Sequence, residues 1–340
     1  MGLFPYIVRR LILTIPILIG ITLTAFVISH AVPADPVMAN LGQRAQDDPS
    51  IVARYRHQYG LDQPLPTQYV YYIGGLLHGD LGISISSRRP VVDDLKQYFP
   101  ATLELSTAAL LLALLIGVPL GVLAAVYRNR LPDHLARVLS LIGISTPVFW
   151  LGLVGSIILW YHFGLLPAPN GQLDRSIDPP PVVTGLVVVD ALLAGNWTAL
   201  GNALWHLLLP ASVLAAYTMG IITRITRGSL LEVLVQDYIR TARAKGVHSA
   251  SVVLRHGLRN AIIPTLTLAG LSYGSLLSGA VLTETIFAWP GIGLYATRTA
   301  GQADFPAILG VALLTALIFV ILNLVVDVLY AVLNPQVRLA

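Results

Sequence analysis

The chain has no cysteine and, in 340 residues, only two lysines, Lys96 and Lys245. The first absence excludes disulfide staples, thiolate catalysis and Cys-ligated metal. Lys245 is followed by Gly246 and Val247, so no GxxxxGK[ST] phosphate loop exists. No HExxH or other close histidine pair is present, the eight histidines being scattered, and there is no GxSxG nucleophile elbow. Neither a metal site nor a catalytic constellation is therefore expected. Charge is scarce as well: 11% of residues are charged, against roughly 25% in soluble domains. Such a chain cannot cover itself with polar surface in water.

What remains is apolar. Hydrophobic residues make up 55% of the sequence and the mean hydropathy is +0.74. A bilayer core takes about 20 apolar residues in helix, and six windows meet that length: 11–32, 101–126, 138–162, 204–225, 261–287 and 305–333. The run 182–193 is too short and carries Asp190, so it reads as a short extracytoplasmic helix. Arg9 and Arg10 precede an apolar run longer than a signal-peptide core and without a clean cleavage site, which reads as a retained anchor.

Arginines set the orientation. Arg9, Arg10, Arg128, Arg130, Arg137, Arg224, Arg227, Arg240, Arg243, Lys245, Arg255, Arg259 and Arg338 fall on one side, with few acids among them. That side is read as cytoplasmic, giving a six-span, all-α membrane protein with both termini inside. The positive-inside rule accounts for these basic residues, and no nucleic-acid partner is implied.

Residues 1–100 hold the first span and a large outer segment, and 101–340 a five-span core. Small residues Gly117 and Gly121, and Gly270, Gly274 and Ser278, mark faces for close helix contact or a pathway wall. Asp327, near the end of the last span, reads as the partner of a cytoplasmic arginine. Glu104 and Glu284 fall near outer span ends, where water is expected to reach them.

The segment 226–260 is too long for a turn. "SLLEVLVQDYIRTARAK" is helix-forming, Gly246 is placed to stop it, and Ser249 is placed to cap a second helix. The pair suits docking to another protein or to anionic lipid.

"DYIRTARAKG" and "LRNAIIP" resemble the cytoplasmic loop of ABC-importer permeases in their dipeptide/oligopeptide (nickel) branch. Gly246 and Ala242 match the general loop pattern; Arg240 and Thr241 stand where it has Glu-Ala, and Arg259 where it has proline. "RRLILTIPILIGITLTAFVISHAVPADPV", "GLDQPL", "GDLGIS", "PATLEL", "TETIFAWPGIG" and "LNLVVDVLYAVLNPQVR" extend the similarity along nearly the whole chain. The resemblance implies the type I ABC importer permease fold in a bacterial inner membrane. It further implies a homologous second permease subunit, two ATPase subunits carrying ATP and Mg, an extracytoplasmic substrate-binding protein, and no cofactor on this chain.

In that frame Asp237, Arg240, Ala242, Gly246 and Arg259 are the expected coupling residues. Polar side chains within spans, Ser145, Thr146, Tyr217, Thr218, Ser272 and Tyr273, are pathway candidates for a peptide. Asp80 and Arg88 are candidates for contact with the binding protein. Alternative cargoes in the same branch are nickel chelate, glutathione or haem. An ion-coupled secondary carrier is the reading from another class, but no broken-helix repeat supports it.

Overall fold

The computed structural model describes residues 3–31, 50, 53 and 62–333. Among the described residues the regular structure is helical, with one isolated antiparallel bridge between Ile83 and Pro90. The helices are α1 (Leu3–Ala31), α2 (Leu65–Leu77), α3 (Val91–Val126), α4 (Leu131–Ser145), α5 (Val148–Gly155), α6 (Val187–Leu193), α7 (Trp197–Val233), α8 (Asp237–Ala244), α9 (Arg259–Gly279), α10 (Val281–Ile286), α11 (Ile292–Gly301) and α12 (Phe305–Leu333). Two π-helical turns extend them: Ser156–His162 continues α5, and Val252–Leu258 joins the short turn Ser249–Ser251 to α9. Five helical stretches are long and apolar enough to cross a membrane, or six when the bent pair Leu131–Ser145 and Val148–His162 counts as one span.

The chain divides into two compact units, one of Met1–Leu3, Pro100–Leu294 and Ile321–Ala340 and one of Phe4–Phe99 and Tyr295–Val320. In the second, the N-terminal part of α3 starts after Pro90 with Asp93 and Asp94 in its first turn, where acids complement the helix dipole. Val91, Leu95, Tyr295 and Ala307 form its core, and Tyr98 stacks on Tyr295 with ring centroids 4.8 Å apart. Gly310 lies so close to Val91 that a Cβ there would collide with it. The loop before α3 is tied down by two buried carboxylates. Asp304 accepts hydrogen bonds from the Ser84 and Ser86 hydroxyls and the Ser86 N–H, at 2.6–2.9 Å, and Asp94 accepts from the Ser87 and Tyr295 hydroxyls.

In the first unit α7 is the central helix. Asn196 caps it by accepting from Ala199 N–H at 3.0 Å. Gly117 and Gly121 of α3 meet it without room for a side chain: a Cβ would lie 2.9 Å from Ile222 Cγ2 and 2.7 Å from Thr226 Cβ. A substitution there overpacks the interface at a cost of about 1–3 kcal/mol. Gly270 packs in the same way on Val326, with a Cβ 2.6 Å from its Cγ2. These small-residue faces are used for packing inside the bundle.

The span expected at 138–162 is neither straight nor confined to those residues. It starts at Leu131 and bends by 103° between α4 and α5. The cause is local. Thr146 precedes Pro147, which disfavours helical backbone at the preceding residue, and Thr146 is extended at φ −87°, ψ 127°. The two halves still climb α7 in one direction. Asp133 meets Arg227, a Cβ on Gly220 would stand 2.6 Å from Ser140 O, one on Gly143 2.5 Å from Ala216 O, and one on Gly155 3.3 Å from Leu209 Cδ1.

Two expectations are corrected. Glu104 and Glu284 are not reached by water: they are 8% and 0% exposed. Glu284 accepts from the Thr102 hydroxyl and the Gly293 and Leu294 N–H groups, and Glu104 from Val188 N–H and the Gln172 amide, all within 3.1 Å. The cytoplasmic insertion is also shorter than 226–260. α7 runs to Val233 and the next span begins at Ser249, with His248 as its N-cap, so only 234–248 stand between them. Ser249 is the first residue of that helix and does not cap it. The side chain of Asp327 and nearly all of 33–61 lie outside the described residues.

Candidate functional site

The fifteen-residue insertion 234–248 is built around α8. Its one buried residue is Ile239, and the opposite face is polar: Asp237 and Arg240 have side chains 94% and 72% exposed and pair at 3.2 Å. An exposed ion pair of this kind contributes well under about 1 kcal/mol to stability, so both charges stay available to a partner.

The end of α8 is defined by hydrogen bonds. Gly246 N–H donates to Arg243 O at 3.0 Å and Val247 N–H to Ala242 O at 3.2 Å, the paired bonds of a Schellman stop. Gly246 sits at φ +74° with nothing within 4 Å of where a Cβ would be. Its requirement is therefore for left-handed backbone, not for space. Ala242 is half-buried and supplies the carbonyl that closes the motif, while Arg259 is exposed at the first residue of α9.

Beneath α8 lies a packed apolar base. Leu230, Ala125 and Ala261 are buried together with Val122, Leu234 and Val253 packed around them. Gly257, inside the π turn, lets Leu230 and Leu234 approach, with a Cβ there only 3.2 Å from Leu230 Cδ1. Tyr238 Oη accepts a hydrogen bond from the Asn260 amide at 2.9 Å. A second tie lies just before α8. Arg227 donates through Nε and a terminal nitrogen to both oxygens of Asp133, at 2.7 and 2.9 Å, and Asn129 N–H reaches the same carboxylate at 2.9 Å. Asp133 is wholly buried. The residues carried no motif; the only hint in the sequence was a lone acid among arginines.

The family model for the binding-protein-dependent transport system inner membrane component matches residues 117–339, and the model for the N-terminal part of such components matches 3–106. The chain belongs to that family.

This permease is 51% identical to the probable D,D-dipeptide transport system permease protein DdpB of Escherichia coli (strain K12), over 94% of its own length and 93% of that protein. It is 44% identical to the dipeptide transport system permease protein DppB of the same strain, over 98% of both chains. The glutathione transport system permease protein GsiC of Salmonella typhimurium (strain LT2) is 39% identical over 98% of both. The permease is a multi-pass inner-membrane transport component of an ABC importer and not an enzyme; it works with an ATPase and a substrate-binding protein.

Among the pathway candidates, Ser145 and Thr146 stand together at the break between α4 and α5, exposed and half-buried. Tyr217 is 48% exposed on α7, whereas its neighbour Thr218 is buried. Ser272 is half-buried on α9, and the Tyr273 hydroxyl is hydrogen-bonded to Thr107 Oγ1 of α3 at 2.7 Å. No side-chain hydrogen bond joins these six among the described residues. Three buried hydroxyls that sequence reasoning passed over, Ser106, Ser156 and Thr283, have no hydrogen-bond partner among the described residues; serine and threonine in apolar runs carry no signal that separates them from packing residues. In the outer segment, Asp80 accepts from Gly82 N–H at 2.9 Å and closes its own turn. Arg88 is an exposed residue in the left-handed region, φ 56°, at the tip of the loop held by Asp94 and Asp304.

Proposed function

We propose that this permease forms one half of a peptide-import pathway, with a homologous permease as the other half, and that α8 is the docking element for one of two ATPase subunits. ATP and Mg belong to those subunits in this reading, and this chain carries no cofactor. The observation behind the docking role is the build of α8: an exposed charged face, a hydrogen-bonded stop at Gly246, and a base packed between two spans. Asp237, Arg240 and Arg259 supply the charges a partner meets; Ala242 and Gly246 hold the helix end in shape.

Peptide as cargo rests on the relatives, which are permeases for D,D-dipeptides, dipeptides and glutathione. Ser145, Thr146, Tyr217 and Ser272 offer the hydrogen-bonding groups that amides and charged termini need along the pathway. Tyr273 and Thr218 act there through helix packing. Arg88, at the tip of its braced loop, and Asp80, just before that loop, face the binding protein.

The docking role is tested by capture of the cognate ATPase on the membrane-embedded permease. Arg240→Glu is expected to abolish capture. Gly246→Ala and Gly246→Val are both expected to weaken it, because the left-handed backbone costs an L-residue about 1–2 kcal/mol, with the β-branched valine weakening it more. Capture unchanged in all three variants refutes the assignment. Cargo is tested by competition in proteoliposomes holding the full importer: D,D- and L,L-dipeptides and glutathione are the competitors. Failure of every peptide to compete with the ligand retained by the binding protein refutes a peptide pathway.

A further inference from the structure

Movement of α8 must reach the rest of the permease through the elements joined to it. α7 leads directly into α8, with only residues 234–236 between them. What travels with α7 is decided by contacts that resist sliding. Most interhelical contacts in a membrane do not: apolar side chains are non-directional, and lipid is as apolar as they are.

The contact between α4 and α7 is of another kind. At Gly143 and Gly220 the two backbones approach so closely that a Cβ would meet the facing carbonyl oxygens of Ala216 and Ser140 at 2.5 and 2.6 Å. With no side chain between them, the two backbones pack directly on each other there. At the cytoplasmic end the Arg227 guanidinium engages both carboxylate oxygens of Asp133, a planar fork that fixes orientation as well as distance. Arg137, one turn along α4, adds a third cationic nitrogen at 3.4 Å. Asn129, in the left-handed region at φ 60°, turns its N–H onto the same carboxylate. At the other end of α4 the chain breaks at Thr146–Pro147.

We infer that Asp133 and Arg227 are positioning residues for energy coupling: their buried fork locks α4 to α7, so that the two follow α8 as one lever and movement is released at the Thr146–Pro147 break. The inference rests on α8 as the docking element, and the two fail differently. If α8 does not dock the ATPase, Arg240→Glu leaves capture intact; if the fork does not couple, capture is intact in fork variants and so is transport.

This chain has no cysteine, so cysteines introduced into it place labels at chosen positions in an importer whose other subunits are made cysteine-free. Spin labels are placed at Leu131 and Val235, which are 69% and 61% exposed, one beside the start of α4 and one just beyond α7. The distance between them is read by electron–electron resonance without nucleotide and in the vanadate-trapped state. One unchanged, narrow distance in both states is expected for the native fork; a distance that shifts between the two states overturns the inference.

Variants supply the second readout, ATP hydrolysed per peptide imported. Asp133→Asn, with ATPase capture retained, is expected to raise this ratio at least about tenfold, the factor equivalent to one lost charge-assisted hydrogen bond. Arg227→Lys keeps the charge without the fork and is expected to fall between. The double variant Asp133→Leu/Arg227→Met preserves burial, so it guards against simple misfolding; it is expected to insert normally and still waste ATP. A native ratio in the double variant overturns the inference.

Discussion

Glu284 has no exposed surface, and its carboxylate is occupied by groups from two other segments. One oxygen accepts from the Thr102 hydroxyl at 2.6 Å, and the other from Gly293 and Leu294 N–H at the start of α11. Thr102 in turn accepts from Ile292 N–H at 2.8 Å. The first N–H groups of a helix have no partner within it, so Glu284 and Thr102 together cap α11 from outside. A Cβ on Gly291 would collide with the carboxylate itself, and one on Gly293 would lie 2.5 Å from Val281 Cα and 3.0 Å from Glu284 Oε2. Glu284→Ala strands at least two buried donors, and each costs about 1–3 kcal/mol. A loss of at least about 2 kcal/mol in detergent-solubilised stability is therefore expected, with Glu284→Gln losing less because its amide oxygen still accepts. Equal stability of Glu284→Ala and the native chain, measured by thermal unfolding, refutes the capping role. In "TETIFAWPGIG" the glycines and the acid are visible, but their joint use is not, because the cap depends on Thr102, far away in sequence.

At the scale of elements, the loop before α6 gives a pH-dependent case. Burial pushes the Asp190 carboxyl up, but N–H groups of Thr184, Val183 and Gly185 and the Thr184 hydroxyl outweigh it and hold the group below its ordinary value of 3.8. A carboxylate with a lowered folded value stabilises the fold above the unfolded value, and that contribution is lost as pH falls through the folded one. Hydrogen-exchange protection of residues 183–185, corrected for intrinsic rate, is expected to stay flat from neutral pH to the ordinary aspartate value and to fall below it. Asp190→Asn is expected to lower the protection at neutral pH; protection indifferent to both pH and the variant refutes the role. The sequence showed this element well: a short run with one acid that cannot span became α6. Gly246 was equally legible as a helix stop, since only its own φ matters. The boundary at Ser249 was not legible. Arg255 and Arg259 made 249–260 read as part of the insertion, whereas backbone continuity through the π turn at 252–258 joins it to the next long helix.

For the molecule as a whole, the number of crossings follows from which helix ends lie together. In the larger unit, Asn129, just after α3, and Arg227, near the end of α7, bind the same carboxylate. Near their starts, Glu104 of α3 binds Val188 of α6, which shortly precedes α7. α3 and α7 are therefore parallel, and a chain leaving one end of α3 must return to the other side before α7 begins. Only 127–196 lie between them, and the bent pair climbs α7 from the level of Arg227 to that of Leu209. The pair is thus a crossing and not a re-entrant loop, which makes six spans. Single cysteines in the otherwise cysteine-free chain test this directly. Arg130 precedes the pair and Val182 follows it; both are exposed, Val182 to 84%. In intact cells an impermeant maleimide is expected to label Val182→Cys and to spare Arg130→Cys until the membrane is opened, following the arginine-rich flank of α4 to the cytoplasm. A re-entrant pair puts both residues on one side, so labelling of both from outside, or of neither, removes the sixth span. The bend complicates the path without altering that count, because pre-proline geometry at Thr146 tilts the second half of the span while its contacts keep advancing along α7.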